Sequence, residues 1–304
     1  MKRRNFIKNS IYSSLLLSGS ALNFNSCMDS EQKKITILHT NDVHSHIEPF
    51  NENHAKFPSK GGVARRSTII ESIKSSNPNT LLLDAGDIFQ GTPYFNYYGG
   101  EIEFKLMSML NYDAATIGNH DFDNGIEGLY AQLPNAKFQF ISSNYDFRNT
   151  IMDSHAKTYM IFNKSDIKIG VFGLGIELKG LVNNSLYKET KYLDPIEVTQ
   201  EMTKILKEKE KCDLVICLSH LGHSYRDNSK KISDITLAKS TKNIDLIIGG
   251  HTHTFLDRPE IVTNIDGEKV IINQVGCFGL YLGQIDFYFD SMKNKTSNAY
   301  AIEV

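Results

Sequence analysis

Six short apolar runs, rich in β-branched residues, recur along this chain: Ile35 to Leu38, Thr80 to Leu83, Phe138 to Ile141, Ile167 to Gly173, Leu214 to Leu218 and Ile244 to Ile248. Each has the length of a strand, and helical patterning fills several of the gaps between them. That alternation constrains the chain to a layered α/β body. The stretch after Leu193 predicts a helix, with Asp194 as cap, Pro195 at the first helical position and Glu197 closing a capping box. Lys207, Lys209 and Lys211 then suit the negative end of its dipole. Two later runs, Lys269 to Val275 and Tyr281 to Asp290, read as strands with no helix between them, so the sheets are expected to be mixed and not purely parallel.

The 304 residues are 40% hydrophobic, enough to fill the core of one large domain, and no repeat, Gly/Ser linker or run of like charge divides the body. The formal net charge is -2. Lys2, Arg3, Arg4 and Lys8 all fall in the first 26 positions, which hold no acid, so the remainder is more acidic still. An acidic body argues against a nucleic-acid polymer as partner, because such binders carry basic patches that replace counterions on the phosphates. A small phosphorylated substrate remains compatible.

The N-terminus reads as an address. Its basic start, its apolar stretch from Ile11 to Leu22 and the small residues ahead of Cys27 form a bacterial secretion signal over residues 1–26, too short to span a bilayer. Arg3, Arg4 and Phe6 resemble the twin-arginine type, and Cys27 resembles the lipidated cysteine of bacterial lipoproteins. The expectation is an exported protein, periplasmic or outer-membrane-associated, held to the membrane only through a lipid on Cys27, with residues 27–34 as tether and 35–304 as one catalytic domain. Cys212, Cys217 and Cys277 lie in or beside apolar runs, where a thiol behaves as a small hydrophobe.

The polar motifs fall just after the strands. Asn41-Asp42-Val43-His44 follows the first run, Gly86-Asp87 the second, Ser219-His220 the fifth, and Gly249-Gly250-His251-Thr252-His253 the sixth, while Gly118-Asn119-His120-Asp121-Phe122-Asp123 stands between the second and third. In layered α/β proteins the carboxyl ends of strands meet at one rim, where ligand sites form. Carboxylate, imidazole and amide oxygen without thiolate suit zinc, manganese or iron. Any one of these motifs is commonplace; their joint occurrence in this order points to a metal centre.

The set resembles the catalytic domain of the bacterial 5'-nucleotidase family, within the calcineurin-like metallophosphoesterases, from about Ile35 to the C-terminus. The resemblance implies an α-β-β-α sandwich of mixed sheets and two divalent metal ions. It places one ion on Asp42, His44, Asp87 and His253, and the other on Asp87, Asn119, His220 and His251, with Asp87 shared. Where the family often has Gln this chain has His253, still a competent ligand. His120 would bond a phosphate oxygen and stabilise charge or protonate the leaving group, Asp123 would orient its ring, and Asn119 would touch phosphate as well as metal. The implied reaction is hydrolysis of phosphate esters, most of all nucleotides or nucleotide sugars. A sulfur-ester hydrolase of the same fold and a non-catalytic metal-binding surface lipoprotein are the alternatives. Family members also carry a C-terminal domain that stacks the nucleobase, for which this sequence shows no counterpart; either a separate polypeptide supplies it, the reading favoured here, or the substrate is something else. His39, His46, His54, His155 and His223 carry no implied metal role, with His46 and His223 close enough in sequence to support the ligands.

Overall fold

The computed structural model describes residues 32–226 and 231–304. The leader and Cys27 lie outside the described residues. Among the described residues fourteen strands are defined in chain order. One six-stranded sheet contains β1 (Lys33–Thr40), β2 (Thr80–Asp84), β3 (Ala114–Ala115), β4 (Gln139–Phe140), β13 (Tyr281–Phe289) and β14 (Lys295–Glu303), in the spatial order β14-β13-β1-β2-β3-β4. The other contains β6 (Tyr159–Lys164), β7 (Ile167–Leu174), β9 (Leu214–Ser219), β10 (Leu246–Gly249), β11 (Glu260–Thr263) and β12 (Lys269–Asn273), in the order β11-β12-β10-β9-β7-β6. A small antiparallel pair, β5 (Tyr145–Asp146) with β8 (Lys191–Tyr192), completes the set. The first sheet is parallel from β1 through β2 and β3 to β4 and antiparallel on the side of β13 and β14, whereas the second is parallel at its centre, through β12, β10, β9 and β7, and antiparallel at its two edge strands, β11 and β6. The sheets are mixed, as the late helix-free strands predict.

Period-two alternation assigns each strand two apolar faces. Ile35 and Ile37 of β1, Leu81 and Leu83 of β2, and Leu214, Ile216 and Leu218 of β9 point into the layer between the two sheets, all fully buried. Leu38 and Leu82 face outward, under helices α1 (Val63–Ser76), α2 (Pro93–Tyr98), α3 (Glu101–Met109) and α4 (Gly125–Gln132), meeting Ile70, Phe104 and Leu129. Val215, Cys217 and Ile247 face the other way, under α6 (Pro195–Lys204) and α7 (Asp234–Ser240), against Val198, Met202 and Leu237, while the short α5 (Asn184–Tyr187) packs beside α4 on the opposite face. The result is a four-layer α-β-β-α sandwich in which strands are buried on both faces, which is why they read as continuous apolar runs. Truncating a leucine in such a layer to alanine costs about 2 to 5 kcal/mol.

Two local expectations are adjusted. The third run forms strand only over Gln139–Phe140, because Phe138 is drawn into an aromatic cluster with Phe104 and Phe140, and Ile141 makes a single bridge to Lys157. The cap of α6 is made by Asp194 alone: its Oδ1 accepts from the amides of Ile196 and Glu197 at 2.8 and 2.9 Å. The helix then continues through a π turn at Ile205–Lys209. Cys212 and Cys217 are buried free thiols and Cys277 is half-buried.

Candidate metal centre

The motif-bearing loops leave the strands at one end of the sandwich. Asp42 and His44 follow β1, Asp87 follows β2 and Asn119 follows β3, all from one sheet, whereas His220 follows β9 and His251 and His253 follow β10, from the other. The structure brings all seven into two adjoining groups. Donor atoms of Asp42, His44 and His253 lie within 4.8 Å of one another, as do those of Asp87, His220 and His251. Asn119 joins the second group through its Oδ1, 2.8 Å from His251 Nδ1. Asp87 Oδ2 stands between the groups, 3.0 Å from His220 Nε2 and 3.8 Å from His44 Nε2.

Backbone conformation aims these side chains inward. Asp42, His44, Asp87, His251 and His253 have φ between 50 and 72°, in the left-handed region that side-chain-bearing residues enter at a cost of order 1 kcal/mol or more each. The surrounding hydrogen bonds hold them there. Asp121, wholly buried, accepts from the amides of Gly118, Asp87, Ile88 and Phe89, tying the Asp87 loop to the Asn119 loop. Asn41 donates to Asp42 Oδ2 and to the Gly276 carbonyl and accepts from Val275, and the His251 amide donates to Asp42. Gln274 Oε1 receives the hydroxyl of Thr252 and the amide of Thr254, fixing the His251–His253 turn. Gly118 is required by packing: a Cβ there would sit 2.2 Å from Asp87 Oδ1.

The donor set fits cations. His220 Nδ1 donates to the Ala85 carbonyl at 2.7 Å, so its Nε2 is the ring atom turned toward Asp87 Oδ2, 3.0 Å away. His44 Nδ1 likewise faces the Phe89 carbonyl at 3.2 Å, leaving Nε2 only 3.0 Å from His253 Nε2. Such close pairs in a buried pocket need positive charge between them, a shared proton or a metal ion. Burial lowers His44 and His251 to about 4, and lowers His253 as well, so these imidazoles are neutral and their lone pairs free at neutral pH. Burial disfavours charge on His220, yet Asp87 and Asp42 push it up to about 10. Burial also drives Asp42 up to about 8, and Asp87 reinforces that rise. Asp87 itself would be raised by burial, but the imidazole of His220 outweighs this and holds it below the usual carboxylate range.

His120 borders both groups at the solvent side. Its amide donates to Asp87 Oδ1 at 2.8 Å, and its Nδ1 is 2.8 Å from Asp123 Oδ2, a contact that raises the imidazole pKa. With the side chain 38% exposed, Nε2 can reach a bound molecule. The other histidines are placed elsewhere: His39 is buried between the sheets beside Asn273, His54 stacks on Phe57, His155 meets Tyr130, and His223 pairs with Glu260. His46 bonds the carbonyl of His44 and packs on Phe278.

Three contributors escape the sequence reading. Asn41 and Asp121 stand inside the quoted motifs, and their polarity beside apolar strands was a usable signal. Phe278 had none beyond the nearby Gly276 and Gly279. It adopts φ 62°, donates its amide to the Asp42 carbonyl, and sets its ring 6.0 Å from His44 and 5.8 Å from His253, walling one side of the centre.

A double metal-type centre at the strand ends of an α-β-β-α sandwich defines the class of metallophosphoesterases. Residues 35–255 match the model of the calcineurin-like phosphoesterases, and the chain belongs to that family. Calcineurin-like phosphoesterases use two divalent metal ions, and this chain carries a donor group for each. Human 5'-nucleotidase is 35% identical over 292 residues, covering 87% of this chain and 48% of that protein. The trifunctional nucleotide phosphoesterase protein YfkN of Bacillus subtilis is 34% identical, covering 84% of this chain and 18% of that protein. Among solved structures, a 5'-nucleotidase precursor from Thermus thermophilus superposes with a TM-score of 0.80 at 30% identity, covering 90% of this chain and 55% of that one. The chain thus spans about half, or less, of the length of these relatives.

Proposed function

We propose that this chain is a two-metal-dependent hydrolase of phosphate esters, acting on nucleotides or nucleotide sugars. The observation that carries the reading is the convergence, at the strand ends of both sheets, of two adjoining donor groups, Asp42, His44 and His253 beside Asp87, His220 and His251, with Asp87 between them. Asp42, His44, Asp87 and His253 hold one ion; Asp87, Asn119, His220 and His251 hold the other. Nitrogen and oxygen donors without thiolate favour zinc, manganese or iron. When bound, the two ions polarise phosphoryl oxygens and supply a nucleophilic water at neutral pH.

The chain's own groups do the rest. Asn119 and His120 bind a phosphate oxygen, and Asp123 orients His120 so that Nε2 faces the ester and can stabilise or protonate the leaving oxygen. Asp121 keeps the two loops in register while charge shifts at the centre. The nucleotide class follows from the relatives, which are named as 5'-nucleotidases and a nucleotide phosphoesterase. A sulfur-ester substrate has less support: the sulfate thiohydrolase that shares the fold is 18% identical, a likeness of fold alone.

The test is a panel of nucleoside monophosphates, cyclic nucleotides, nucleotide sugars, aryl phosphates and sulfur esters, offered to the chain loaded in turn with zinc, manganese and iron. Phosphate release that disappears on chelation and returns with metal is expected. Inactivity toward every phosphate ester under all three metals would refute the assignment.

A further inference from the structure

Beneath the loop that carries His44 lies a cavity of about 20 Å³, large enough for one water molecule. Amid apolar residues such as Leu106 and Met107, four polar side chains meet there: Ser45, Arg66 of α1, Asp84 at the end of β2 and Glu103 of α3. Arg66 is 4% exposed, Glu103 5% and Asp84 1%, so one guanidinium and two carboxyl groups are enclosed together. Nε and Nη1 of Arg66 and Oε2 of Glu103 have no hydrogen-bond partner among the described residues. Buried charge is retained only where it is paired and hydrogen-bonded, so these atoms call for a shared partner in the cavity.

Each of these groups supports a different loop of the candidate centre. Glu103 Oε1 accepts the Ser45 hydroxyl at 2.5 Å, and Ser45, itself at φ 58°, directly follows the donor His44. Asp84 Oδ1 accepts the Gly86 amide at 2.9 Å, while the Gly86 carbonyl accepts the amide of Asp42, so this carboxyl group shapes the turn into Asp87. The Arg66 guanidinium lies against the backbone of Gly279, where a Cβ would collide with Nη1. Gly279 adjoins Phe278, whose amide bonds the Asp42 carbonyl. Three loops that reach the centre from separate parts of the chain thus rest on one enclosed charge cluster.

We infer that Arg66 is a positioning residue for the metal centre: through a water held in the cavity it joins Glu103 and Asp84, and with them the His44, Asp87 and Phe278 loops, in one arrangement. Arginine suits the place because its planar fork donates in several fixed directions and stays charged when buried. A lysine keeps the charge and loses the fork, whereas a methionine leaves both carboxyl groups without a cation. The inference rests on the two-metal reading above and concerns what holds the donors in place.

Manganese binding followed by titration calorimetry, with no substrate present, reads that arrangement directly. Arg66→Met is expected to weaken manganese binding about tenfold or more, the scale on which groups behind metal ligands act. Arg66→Lys should recover part of the loss. Glu103→Gln should weaken binding as well, and the double variant Arg66→Met/Glu103→Gln should lose less than the product of the two single fold-losses, because both act through one cavity. Wild-type affinity in Arg66→Met and Glu103→Gln overturns the inference even where the metal-free chain melts at a lower temperature, since that result assigns the cluster to stability alone. Should Arg66→Met fail to fold, Arg66→Lys and Glu103→Gln decide by the same measurement. A wild-type chain that binds neither manganese, zinc nor iron removes the two-metal reading and this inference with it.

Discussion

Asp87 is the residue on which most of the site converges. One carboxylate oxygen accepts the His120 amide, the other approaches His220 and His44, and its own amide is held by Asp121. His120, by contrast, contributes an exposed imidazole steadied by Asp123 and no donor to either group. Their substitutions should separate cleanly. Asp87→Ala is expected to lose both ions and all activity, measured by elemental analysis and phosphate release. His120→Asn is expected to keep both ions and lose about 100-fold or more in turnover, the usual effect of removing a positioned acid. A His120→Asn enzyme that turns over normally would place the leaving-group chemistry elsewhere. These donors were legible in the sequence because polar residues beside Gly, set just past apolar strands, have few structural reasons to be there. Their left-handed backbone angles were not, since Asp and His carry no such preference strong enough to read.

Among the elements, α7 carries an unusual first residue. Asp234 is wholly buried beneath β9 and β10, bonded to the Ser219 hydroxyl at 2.5 Å, with Oδ2 unpartnered. Burial raises its pKa to about 7, against the hydrogen bond from Ser219. The folded state therefore holds this proton more tightly than the unfolded chain does, and the resulting stability, full below about pH 4, is lost as pH rises through about 7. Asp234→Asn should accordingly gain melting temperature relative to wild type between about pH 5 and pH 8, as followed by circular dichroism; a constant difference would mean that Asp234 is ionised throughout. Strand positions could be anticipated because burial on both faces makes each run continuously apolar. The shortening of the third run could not, because it depends on Phe104 of α3 meeting Phe138, a contact between segments distant in sequence.

At the scale of the whole molecule, no helix among the described residues is long and apolar enough to cross a membrane. We propose that residues 1–26 direct export and that Cys27 is lipidated. Cys27→Ser is expected to abolish incorporation of labelled palmitate and release the protein from the membrane fraction; unchanged labelling would assign the lipid elsewhere. That the loops gather at one rim was readable from their places just after the strands, but which loop faces which was fixed only by the way the two sheets lie against each other. That juxtaposition has its own consequence. Because Asp42, Asp87 and Asn119 belong to one sheet and His220, His251 and His253 to the other, the pair of ions would act as a rivet through the open end of the sandwich. Cation supply would then govern not only turnover but also how firmly the two halves stay joined when the protein is heated.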